Sequence, residues 1–109
     1  METLKKNYEF KNVLTKGKYF TGKQIEIYCY KNRKNSNFIG IAVQKKVAKA
    51  VMRNRIKRLI RENYRRLEKK IEKGYDIVII WKKNVLPELA TFEQIKEDML
   101  TLFEKAKLI

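Results

Sequence analysis

Residues 44–66 read QKKVAKAVMRNRIKRLIRENYRR, and the rest of the chain is organised around them. Between Lys45 and Arg61 stand eight basic residues and no acidic one: Lys45, Lys46, Lys49, Arg53, Arg55, Lys57, Arg58 and Arg61. The later part has helical order. Met52, Ile56, Leu59, Ile60, Leu67 and Ile71 recur at spacings that line one helical face. At about 100° per residue, Lys57, Arg58, Arg61, Arg65 and Lys69 point away from that face. Arg53 and Arg55 flank it on opposite sides, with Asn54 between them on the polar side. One helix therefore carries a core stripe and a wide cationic surface.

A cationic surface this dense repels itself unless something negative covers it. Phosphate suits it, because guanidinium forks meet phosphate oxygens with two parallel hydrogen bonds. A merely solvated helix face usually mixes both signs. Here Glu62, Glu68 and Glu72 are the only acids between Gln44 and Gly74, and none falls in the first part of the helix.

Composition points the same way. The 109 residues suit one compact domain, 1–109, and 44% hydrophobic content is enough for a core. The formal net charge of +15 is the electrostatic footprint of a nucleic-acid binder. No apolar run approaches the roughly 18 residues of a spanning helix, so no membrane partner is expected. The N-terminus METLKKNYEF lacks the apolar core of a signal peptide. A single cysteine, Cys29, allows no internal disulfide, and a cytoplasmic protein is expected. With no histidine, a His-dependent triad or a Cys/His zinc site is excluded. The twelve acidic residues are scattered among lysines and form no evident cluster, so neither a catalytic nor a metal-ligating set is assigned.

The segment KKVAKAVMRNRIKRLIRENYR, residues 45–65, closely resembles the basic motif of the bacterial ribonuclease P protein family, in which an Arg-Asn-Arg helix follows a Lys-Lys-Val turn. Lys45, Lys46, Val47, Ala50, Val51, Arg53, Asn54, Arg55, Ile56, Lys57, Arg58, Ile60 and Arg61 all fit. Two positions depart: the family usually has Gly-Asn where this chain has Ala48-Lys49. A glycine's tolerance of positive φ and a good N-cap side chain are both lost there. More weakly, the resemblance runs from about Tyr8 to the C-terminus.

Along the chain, Met1–Lys6 reads as a short mobile tail. Asn7 can cap a helix that carries Phe10, Val13 and Leu14 on one face and stops at Gly17. Lys18–Gly22 reads as a loop. Lys23–Tyr30 alternates as a strand, with Ile25, Ile27 and Cys29 on one side and Glu26, Tyr28 and Tyr30 on the other. Lys31–Asn37 reads as a hairpin loop, and Phe38–Gln44 as the returning strand. Its Gly40 and Ala42 leave a shallow trough or room for a packed helix. The basic helix should run on to Gly74 as its C′ residue. Tyr75–Trp81 is apolar enough for a central strand, and Thr91 with Gln94 forms a capping box for a last helix carrying Ile95, Met99, Leu102, Phe103 and Ala106.

The expected fold is an α+β sandwich of order α-β-β-α-β-α, one sheet with helices packed against it. If the second and third strands are parallel, the basic helix is their crossover. Right-handed is the general default; the resemblance implies a left-handed one.

The resemblance implies the protein subunit of ribonuclease P, which removes 5′ leaders from precursor tRNA. Its partners would be the ribonuclease P RNA subunit and precursor tRNA. The catalytic centre would lie in the RNA with its bound Mg2+. Lys45, Lys46, Lys49, Arg53, Asn54, Arg55, Lys57, Arg58, Arg61 and Arg65 are the expected RNA-binding residues. Single strands are commonly gripped by aromatic faces beside a cationic track. A leader cleft between the first helix and the sheet would hold Phe10, Leu14, Tyr28 and Tyr30; position 14 is phenylalanine in some members of the family. Phe10 and Tyr28 can equally be read as simply closing the core. Glu26, on the tyrosines' face, would need Lys57 or Arg61 as a partner. A structural RNA-binding protein such as a ribosomal protein would share the charge and size but leave the motif unexplained. A DNA-binding module reading the major groove with Arg53–Arg65 would not need three strands, and no DNA partner is expected.

Overall fold

The computed structural model describes all residues, Met1–Ile109. Five strands and three helices follow in the order β1 (Glu2–Thr3), α1 (Asn7–Lys16), β2 (Lys18–Thr21), β3 (Ile25–Lys31), β4 (Phe38–Ala42), α2 (Ala50–Leu67), β5 (Tyr75–Trp81) and α3 (Phe92–Lys105). The strands form one sheet in the order β1-β4-β5-β3-β2. β5 is central, as its near-continuous apolar run requires. It is parallel to β4, to which α2 connects it, and antiparallel to β3.

The sheet separates two cores. On one face Ile25, Ile27, Cys29, Ile39, Ile77, Ile79 and Trp81 pack against Ile56, Ile60 and Tyr64 of α2 and Ile95, Met99, Leu102 and Phe103 of α3. On the other, α1 lies alone, its Val13 buried with Leu4 and Val78. The alternation of β3 explains the split: Ile25, Ile27 and Cys29 face the two-helix core, whereas Tyr28 and Tyr30 pack against the α1 side.

Four expectations are corrected. The loop Lys31–Asn37 does not close a hairpin, because β5 lies between β3 and β4. Both ends of the loop are bonded to the start of β5: Asn32 Nδ2 donates to Asp76 Oδ1 at 2.9 Å, and Tyr75 N donates to Asn37 Oδ1 at 2.8 Å. Residues 1–6 are not a free tail. Glu2–Thr3 pairs in parallel with β4, and Leu4, whose N–H donates to the Ile39 carbonyl at 2.9 Å, is buried. Lys18–Thr21 is a strand paired with β3, not a loop, so β1 and β2 add to the expected element order. The basic helix ends at Leu67 in a 3-10 turn over Glu68–Lys70. Gly74, at φ +99, serves the later turn into β5, a conformation other residues adopt only at a cost.

One carboxylate ties the two-helix layer to the sheet. Asp98 of α3 accepts from the backbone N–H groups of Lys23, Gln24 and Ile25 at 3.0, 2.7 and 3.0 Å. These would otherwise be unpaired donors at the start of β3. At the other end of α3, the Thr91 hydroxyl caps the helix by accepting from Gln94 N at 3.2 Å, as its position before Gln94 predicts.

Candidate nucleic-acid interface

The cationic surface belongs to α2 and the turn before it. Lys45, Lys46, Lys49, Asn54, Arg55, Arg58 and Arg65 are exposed, and none bonds to an acid. The single ion pair in the molecule joins the Met1 amine to Glu68 at 3.3 Å. Arg53 differs. It is half-buried, and its Nη1 donates to the Ala48 carbonyl at 2.7 Å. This bond braces the turn where the family motif's glycine and N-cap side chain are missing. Lys49 is the N-cap residue, at φ −68 without a side-chain cap bond. Arg53 thus has a structural task besides its charge. Arg66, outside the expected set, lies over the Phe92 ring at 5.0 Å; its nearest sequence signal was only its place in the basic run.

Two charges on α2 reach the β4 edge of the sheet. Lys57 and Arg61, one helical turn apart, are half-buried. With Leu4, Phe10, Ile39, Gly40 and Ile41 they line a hollow of about 270 Å³ at the open side of β4. Neither pairs with Glu26. That carboxylate instead accepts from the Tyr19 hydroxyl, and the bond holds the phenol's proton above the ordinary tyrosine range.

Phe10 is neither wholly core nor wholly exposed. It sits on Gly40, where an added Cβ would overlap the ring, and it borders the hollow with Lys57 and Arg61. Gly40, Val78, Tyr28 and Tyr19 form one cross-strand row. Four adjacent strands at about 4.8 Å spacing make that row about 14 Å long. At its far end Tyr19 and Tyr28 pack at a tilt of 48°, with ring centroids 5.0 Å apart. Tyr19 escaped the sequence reading because its strand is only four residues long. The flank of α1 with Glu9, Asn12 and Lys16 faces Asp76 and Lys34. Phe10 and Leu14, four residues apart on the helix, take the other flank. The next cross-strand row, Ala42, Ile80 and Glu26, is only half-buried. Beside α1 these half-buried residues, Glu26 among them, make a groove that opens at Phe10 onto Lys57 and Arg61.

Of the four expected cleft residues, Phe10 and Tyr28 lie along this row, and Leu14 lies exposed beside Phe10's flank. Tyr30 falls one row away, opposite Asp76, and lines a different hollow with Lys16, Lys18 and Tyr75. No three Asp, Glu or Cys side chains converge where they could hold a metal ion. No helix is long and apolar enough to cross a membrane.

The family model described as Ribonuclease P matches residues 1–107. The ribonuclease P protein component of Clostridium kluyveri is 43% identical, over 96% of this chain and 94% of its own length. That of Clostridioides difficile is 42% identical, over 96% and 91%. Among solved structures, the Staphylococcus aureus RNase P protein superposes with a TM-score of 0.85 at 31% identity, covering 99% of this chain and 97% of that one. The Thermotoga maritima RNase P protein does so with a TM-score of 0.85 at 32% identity, covering 96% and 97%.

Proposed function

Because the chain belongs to the ribonuclease P protein family, we propose that it is the protein component of a ribonuclease P, serving endonucleolytic removal of the 5′ leader from precursor tRNA in the cytoplasm. The observation that carries this reading is the meeting of Phe10 with Lys57 and Arg61 in one hollow. There a groove fit for unpaired bases joins a helix fit for phosphates. Lys45, Lys46, Lys49, Asn54, Arg55, Arg58 and Arg65 hold the RNA subunit. Lys57 and Arg61 steer the leader backbone into the groove, and Phe10, Leu14 and Tyr28 take its bases.

The chain contributes binding and positioning, and the reaction centre lies in the RNA subunit. The chain has no histidine. The Mg2+ of the holoenzyme is assigned to the RNA subunit, whose phosphates are the oxygen ligands such an ion favours. What the lysines and arginines supply is relief of repulsion between two polyanions.

Reconstitution tests this. The protein added to a bacterial ribonuclease P RNA at low Mg2+ raises cleavage of precursor tRNA, and the protein alone cleaves nothing at any Mg2+ concentration. A structural RNA-binding protein would bind the RNA without raising cleavage. Turnover by an RNA-free preparation would place the chemistry in the protein.

A further inference from the structure

Tyr30 lines a second hollow, of about 330 Å³, at the end of the sheet away from the Lys57–Arg61 hollow. It lies where β2 begins, β3 ends and β5 begins: Lys18 is paired with Cys29, and Lys31 with Tyr75. Phe20, Cys29, Ala106 and Leu108 form its apolar lining, with Tyr30 and Tyr75 beside them. Leu108 reaches it because Lys107 adopts φ +59 and turns the chain back after α3. The turn is held by Leu108 N donating to the Phe103 carbonyl at 2.9 Å and Glu72 N donating to the Leu108 carbonyl at 2.7 Å. The hollow is thus walled by fixed elements.

Its only charged lining residues are Lys16, Lys18 and Lys31. All three are exposed, and none has a carboxylate within ion-pair distance. An apolar concavity of this size, with a few polar groups at its mouth, has the build of a small-ligand site. Aromatic faces beside unpaired cations suit a base with its phosphate. The lining holds no amide, carboxylate or arginine side chain to read a base edge, so binding here is tolerant of base identity.

We propose that this hollow receives one unpaired nucleotide of a nucleic-acid strand, the base against Phe20 and Tyr75, which share the two-helix face of the sheet, and its phosphate on Lys16, Lys18 and Lys31. The site is separate from the groove at Phe10 and does not depend on the ribonuclease P reading.

The full chain, isotope-labelled, is titrated with adenosine, AMP and a short oligoadenylate while backbone amide shifts are followed by NMR. AMP is expected to move the amides of Lys18, Lys31 and Ala106, and the oligoadenylate to do so at least tenfold more tightly. The exposed double change Lys18→Ala/Lys31→Ala should weaken AMP at least fivefold and leave adenosine within twofold, with circular dichroism unchanged. Shifts confined to Leu14, Ala42 and their neighbours would overturn the site. So would a lysine variant that binds AMP as the wild type does. AMP binding as tightly as the oligoadenylate would overturn the assignment to a strand.

Discussion

Phe10 of α1 rests directly on Gly40 of β4, and a Cβ at position 40 would overlap the ring and come within 3.2 Å of Leu4 Cδ1. The missing side chain is what lets α1 lie close to the sheet and aim Phe10 at Lys57 and Arg61. Gly40→Ala is therefore expected to destabilise the protein by about 1–3 kcal/mol, the usual range for overpacking. In a Phe10→Ala background most of that cost should vanish, since the clashing ring is gone. Urea denaturation of the four proteins measures the coupling. Additive losses would mean that Gly40 is needed for its backbone and not for the ring.

Arg53 and Arg55 look equivalent in the motif and differ in the structure. Arg55 is exposed and has no protein partner, while Arg53 braces the Ala48 carbonyl. Arg55→Ala should leave the urea midpoint almost unchanged and lower the steepness of the salt dependence of RNA binding, because losing one phosphate contact leaves fewer counterions to be released. Arg53→Ala should also cost about 1.5–3 kcal/mol of stability, as for a hydrogen bond from a charged group. Filter binding over a salt series, beside urea melts, separates the two. Equal stability losses would deny Arg53 its structural role.

Those two arginines also show where sequence legibility stops. Periodicity marked Ile56 and Ile60 as core and Arg55 and Arg58 as surface, because burial follows the helical repeat. It could not mark the Arg53–Ala48 bond, which depends on the path of the preceding turn. Tyr75–Trp81 was legible as a central strand from its apolar run. The sheet order was not, because it depends on Asn32 and Asn37 bonding to residues about forty positions away. Strands of two and four residues, β1 and β2, are too short for alternation to register. In the groove, Phe10 and Tyr28 were legible from face and type. Tyr30 shares their face, but row position, which separates it, is a property of pairing across β5.

Two buried acids predict an alkaline weakness. Burial pushes the Cys29 thiol from 9.0 up to about 12, and, chiefly by burial, the Tyr64 phenol from 10.0 up to about 12. Unfolded, each loses its proton at the ordinary value; folded, each keeps it until about pH 12. Stability from these groups is therefore complete below pH 9 and falls as pH rises from 9 toward 12. At about 1.4 kcal/mol per pKa unit the loss is a few kcal/mol by about pH 10.5 and roughly 7 kcal/mol by about pH 12. The comparison is with variants at the same pH, which share every other charge. Cys29→Ala should flatten the decline that begins near pH 9, and Tyr64→Phe the part above pH 10. Urea midpoints at pH 7, 9 and 10.5 decide it. Parallel declines in all three proteins would assign the weakness elsewhere.

Tyr28 carries the sharpest test of the leader groove. It stands in the row that begins under Phe10 and packs at a tilt against Tyr19, and it is half-buried, leaving part of the ring available to a base. Tyr28→Ala should weaken binding of leader-bearing precursor tRNA to the holoenzyme by about 1–3 kcal/mol, the range for one lost stacked base. Mature tRNA has no leader to lay in the groove, so its affinity should be unchanged. Tyr28→Phe keeps the ring face and should retain most of the discrimination, with a fold that melts like the wild type. Equilibrium binding of both ligands to the three holoenzymes gives the comparison. Equal losses for precursor and mature tRNA would mean that Tyr28 supports the sheet or the RNA-subunit contact, and that the leader runs elsewhere.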